Sequence, residues 1–130
     1  MRIFYSQGSD PLIAASRSEM RAVSSALSDF LISEKDELYI AADANESAEP
    51  YQVLLKGLRL VKDRVPICIS IEAEGELKVE GEVSELMLWV KAFHFPESAA
   101  DGDHHHPESR ADIRVQPGSL STIVEVYEPE

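Results

Sequence analysis

Hydrophobic and polar positions change period several times along the chain, and each change predicts an element. Over residues 2–7, Ile3 and Tyr5 alternate with Phe4, which reads as a first strand broken by the turn sequence Gly8-Ser9-Asp10-Pro11. Residues 12–15 supply a short partner strand. Ser16-Arg17-Ser18-Glu19 has the form of a capping box, and behind it Met20, Val23, Leu27, Phe30 and Leu31 recur at helical spacing opposite Arg21, Ser25 and Ser28. The spacing predicts an amphipathic helix over 18–33 that lies on a core.

Leu38, Ile40 and Ala42 alternate with Glu37, Tyr39 and Ala41, the pattern of a half-buried strand. The polar run 43–50 reads as a loop. Residues 51–62 fit both periods, and Gly57 tips them toward a strand or a short helical turn. Ile67, Ile69 and Ile71 face one way, and Leu77 and Val79 continue the pattern after Glu74-Gly75, giving a β-hairpin. A second helix is expected over 85–95, capped by Ser84 and ended by Pro96. Leu86, Leu88, Trp89, Val90, Ala92 and Phe93 leave it almost no polar face, so it is buried or covers a partner, with Trp89 and Phe93 as core anchors. Ile113 with Val115, and Ile123 with Val124 and Val126, suggest two last strands joined through Gln116-Pro117-Gly118-Ser119. No internal repeat is legible. Strands interrupted by two helices without regular βα alternation predict a single α+β domain over 1–130, a mostly antiparallel sheet covered by two helices.

Composition narrows the function classes. The 24 acidic residues against 12 basic ones leave a formal net charge of −12, a field that repels nucleic-acid phosphate and anionic membranes and attracts basic surfaces. No window approaches the about 18 apolar residues of a membrane span, and the N-terminus does not read as a signal segment. The one cysteine, Cys68, lies between Ile67 and Ile69; a buried core thiol in a reducing compartment, the cytoplasm, is expected.

Chemistry concentrates in Asp101-Gly102-Asp103-His104-His105-His106, three of the four histidines beside two carboxylates. In an extended segment His104 and His106 project to the same side, so they could chelate an ion with Asp103 or Asp101 as an oxygen ligand. The same residues could instead cross the surface as a mobile or hydrogen-bonded loop, with no cofactor required. His94 reads as a helix-dipole partner or a satisfied core histidine. Glu72, Glu74, Glu76 and Glu80 gather around the hairpin, where a carboxylate pair for acid–base work could form but a solvated polar face is the simpler reading. There is no nucleophile elbow, no phosphate-binding glycine loop and no zinc-helix motif.

Over roughly residues 65–126 the chain also resembles a known family. The residues concerned are Glu74-Gly75-Glu76-Leu77-Lys78-Val79-Glu80-Gly81, the helix with Leu86, Trp89, Val90 and Phe93, the segment 101–106, and Pro117-Gly118-Ser119-Leu120-Ser121-Thr122-Ile123-Val124. This order resembles immunity protein family thirty-two, small α+β proteins of bacterial polymorphic toxin systems. The resemblance implies a non-catalytic protein that neutralises a cognate toxin by binding it; in such a binding module Asp101, Asp103, His104, His106 and Glu108 are expected at or near the interface. A small metal-binding protein or metal-dependent enzyme using His104, His106 and Asp103 is the alternative. Oligomeric state is not legible.

Overall fold

The computed structural model describes residues 1–109 and 112–128. Among these residues nine strands form two sheets. In the first, β4 (Val53–Leu54), β1 (Arg2–Tyr5), β2 (Leu12–Ala15), β9 (Ile123–Val126) and β8 (His104–His105) lie side by side. In the second the order is β3 (Glu37–Ala41), β5 (Gly57–Lys62), β7 (Glu76–Gly81) and β6 (Cys68–Ile71). Helices α1 (Arg17–Ile32) and α2 (Val83–Val90) pack on each other and link the sheets. The α+β expectation holds and most pairings are antiparallel, but the expected single sheet is two, each with one parallel pair, β2 with β9 and β5 with β7.

The two sheets are built by a repeat. Ile3 pairs with Ile13 and Ile69 with Val79, so the second hairpin reproduces the register of the first 66 positions later. The helix N-caps, Ser16 and Glu82, keep that offset. Buried Met20, Val23 and Leu27 become Leu86, Trp89 and Phe93. Beyond the helices the correspondence continues at an offset of 64: Leu60 lies beside Val79 in one parallel pair and Val124 beside Ile13 in the other. Each unit is thus hairpin, helix, hairpin, and its helix carries the chain from one sheet to the other. The order β1-β2-β9-β8 in one sheet matches β6-β7-β5-β3 in the other.

The sequence reading that found no repeat is therefore corrected. Burial parity asks only that a position be apolar, so the pattern persists where identity does not; Ile3 and Ile69, and Glu19 and Glu85, are among the few identical pairs.

One continuous core includes Ile3, Ile13, Leu58, Leu60, Val79 and Trp89, with Trp89 and Phe93 rings 5.0 Å apart as the anchors expected. The first helix matches its reading: Ser16 accepts from the Glu19 N–H, Glu19 returns the bond to the Ser16 N–H, and Met20, Val23, Leu27, Phe30 and Leu31 are buried. Several expectations need correction. The second helix is capped at Glu82, two residues before Ser84, and gives way to a 3-10 turn at Lys91–Phe93. It buries Leu86, Trp89 and Val90 but leaves Met87 exposed. Residues 113–115 form no strand, contributing one bridge from Val115 to Ile67. Cys68 is half-buried because Ile67 and Ile69 take the core side of the strand, and His94 is exposed. Residues 51–62 resolve into β4 and β5, with Gly57 at the point where the Tyr39 ring occupies the space of a Cβ.

Candidate protein-interaction surface

The histidine segment is an edge strand, not a loose loop. Gly102 takes a left-handed φ of 91°, which lets the chain reverse so that its N–H donates to the Val126 carbonyl while the Val126 N–H donates to the Asp103 carbonyl. Asp103 accepts from the Ala100 N–H at 2.9 Å and Asp101 from the Glu128 N–H at 2.8 Å. Both carboxylates, although exposed, thus fasten the turn. His105 turns inward, its ring stacked on Phe95 at 4.2 Å with Nδ1 2.8 Å from the Ala92 carbonyl oxygen. His104 and His106 share the opposite side as expected, ring centroids 5.0 Å apart and edge to face, and His104 Nδ1 lies 3.1 Å from the Gly102 oxygen.

Glu108 stands apart from that set. Its carboxylate faces inward and accepts from the Trp89 indole N–H at 3.0 Å, the Thr122 N–H at 2.9 Å and the Thr122 hydroxyl at 2.6 Å. The structure gives this predicted contact residue an internal role, because it satisfies the one polar atom on the largest core side chain. A metal at His104 and His106 would lack a third ligand in this geometry, since Asp103 is turned to Ala100. Among the described residues no group of three or more potential ligands converges.

Of the hairpin glutamates, Glu72, Glu76 and Glu80 belong to an ion-pair network on the outer face of the second sheet. Arg59 lies between Glu76 at 3.0 Å and Glu37 at 3.2 Å, and its guanidinium sits 5.0 Å from the Tyr39 ring. Lys78 lies between Glu72 at 3.4 Å and Glu80 at 3.7 Å. Hydrogen bonding to Glu76 pushes the Arg59 pKa up. Each cation is bracketed by two carboxylates, so the face stays net acidic. The equivalent face of the first sheet carries Phe4, Leu12 and Ile123 instead, with Tyr51 against Phe4 at 5.2 Å.

Among the described residues Glu85, in the first turn of α2, is the buried carboxylate. It accepts from the Arg114 side chain at 2.8 Å and the Arg114 N–H at 2.9 Å, and these bonds hold its pKa below the ordinary value. Among the described residues no buried side-chain nitrogen or oxygen lacks a partner.

The sequence brought His104 and His106 together correctly, and it missed the Arg59 and Lys78 brackets and the open edge of β3. The alternation over 37–41 did point to that strand, but nothing local marks a strand as an edge. Among the described residues no helix is long and apolar enough to cross a membrane. Compared with protein-family models, curated proteins and solved structures, the chain matches none.

Proposed function

We propose that this chain is a non-catalytic protein-binding module that neutralises a basic toxin domain by occupying it, acting in the cytoplasm in the manner of immunity protein family thirty-two. The observation that carries the reading is the bracketing of Arg59 and Lys78 by four glutamates, which keeps the outer face of the second sheet acidic around the cations at its centre. Together with a net charge of −12, this favours rapid encounter with a basic surface and disfavours nucleic acid. The buried or inward carboxylates, Glu85 and Glu108, are committed to Arg114, Trp89 and Thr122, which supports structural work over acid–base chemistry for them. The thiol of Cys68, with no partner cysteine in the chain, is compatible with a reducing compartment.

The test is co-expression with the product of the neighbouring gene. A stoichiometric complex and restored growth are expected. Absence of a complex with a toxic neighbour, or growth restored by destroying the toxin catalytically, would overturn the reading.

A further inference from the structure

The repeat creates two pairs of equivalent sheet edges; the chain covers the first pair and shortens one member of the second. The edge of β1 is covered by β4, with the Leu55 N–H donating to the Ile3 carbonyl and the Gln52 N–H to the Tyr5 carbonyl. The corresponding edge of β6 is covered by the segment after residue 113: Ile67 exchanges bonds with Arg114 and Gln116, and the Ile69 carbonyl accepts from the Leu120 N–H. The third edge, β8, is cut to two residues before the chain turns into the 3-10 turn Pro107–Ser109.

The fourth edge, β3, is the counterpart of β8 but runs for five residues. Its register with β5 is bracketed by the Ala42 N–H donating to the Lys56 carbonyl and the Lys62 N–H donating to the Asp36 carbonyl. Even-numbered residues therefore turn their backbone groups to β5. Those of Glu37, Tyr39 and Ala41 point outward, and among the described residues they meet no other strand.

We infer that the β3 edge is a docking site for an extended basic strand of the partner, which continues the second sheet by pairing with Glu37, Tyr39 and Ala41. An open edge offers main-chain hydrogen bonds to any strand, so charge must choose the occupant. Exposed carboxylates flank this edge at Glu34, Asp36, Glu37 and Asp43, outnumbering Lys35 on the same segment and Arg59, which pairs with Glu37 from β5. A second copy of the chain would bring an edge of the same net acidic charge to this one. A strand carrying lysine or arginine at alternate positions would meet them favourably. The inference rests on the protein-binding reading and assigns that reading its surface.

The probe is a peptide of alternating lysine and valine, titrated into the 15N-labelled full chain, beside the same peptide N-methylated on alternate residues. Expected are slowed amide exchange at Glu37, Tyr39 and Ala41 and binding at least tenfold weaker for the N-methylated peptide. The variant Ala41→Pro, which removes an outward N–H and no ladder bond, and Glu37→Lys, which keeps the backbone, should each weaken binding several-fold. Equal binding of both peptides, protection at another edge, self-association of the chain through β3, or no binding at all would overturn the inference. Co-expression separates it from the broader reading: Ala41→Pro rescuing as well as the wild type sinks the edge alone, whereas a wild type that forms no complex with its toxic neighbour sinks the reading.

Discussion

Glu108 lies 3.0 Å from the indole nitrogen of Trp89, and this bond ties the short turn after the histidines to the centre of the core. Trp89 is fully buried, so its N–H needs an acceptor that water cannot supply. Thr122, 3.3 Å from the same nitrogen, completes the triangle. The geometry makes the pair a stability element whose removal is measurable at either end.

Trp89→Ala should destabilise the fold by about 3 to 5 kcal/mol through lost burial and a residual cavity. Glu108→Ala should cost about 1 to 3 kcal/mol by orphaning the indole and Thr122 donors, and Glu108→Gln should restore part of it. Urea unfolding of the three variants checks the order. A wild-type midpoint for Glu108→Ala would show that the carboxylate is dispensable inside.

The two helix starts differ in a way the repeat makes testable. Ser16 caps α1 through its side chain, whereas Glu82 at the equivalent position of α2 makes no side-chain cap bond. Ser16→Ala should lose about 1 kcal/mol, and Glu82→Ser should gain a few tenths to about 1 kcal/mol. Thermal unfolding would contradict this if Glu82→Ser lowered the midpoint, which would mean that the exposed 3.4 Å contact of Glu82 with Arg114 outweighs a cap.

Gly57 and Tyr39 form a coupled pair. A Cβ at 57 would fall on the Tyr39 ring, which is anchored by its hydroxyl donating to the Lys56 carbonyl at 3.1 Å. Gly57→Ala should therefore destabilise by about 1 kcal/mol despite the entropy that alanine removes from the unfolded chain. In a Tyr39→Ser background the same change should be neutral or stabilising, and a double-mutant cycle reads the difference.

Glu85 sets an acid limit. Its pKa is held below 4.5 in the folded protein, mainly by the Arg114 side chain, so its contribution is present above that value and is lost as pH falls through the depressed folded pKa. The midpoint difference between wild type and Glu85→Gln should be widest above pH 4.5 and narrow in more acidic buffer. A difference that grew on acidification would contradict the Glu85–Arg114 pairing.

Local pattern carried much of this fold. The capping box at Ser16, the stripe from Met20 to Leu31 and the hairpin of Ile69 with Val79 are all periodic features that neighbouring residues determine, and all three read correctly. What failed is set by distant chain. Nothing near His104 shows that Glu125 will lie opposite it, so a hydrogen-bonded edge strand reads as a polar loop. Glu108 looks like a surface charge until Trp89 and Thr122 are brought to it. The repeat escaped because the two units share burial positions and little identity, and the open edge of β3 follows only from the order of strands in space.

Binding of a basic partner by the acidic sheet surface is tested most directly by titrating the full chain with the purified neighbouring gene product at low and at high salt. A one-to-one complex is expected whose association slows sharply with salt while dissociation changes little, with a loss of affinity for Glu37→Lys combined with Glu72→Lys. A complex indifferent to both salt and charge reversal, or no complex with a toxic neighbour, would contradict it.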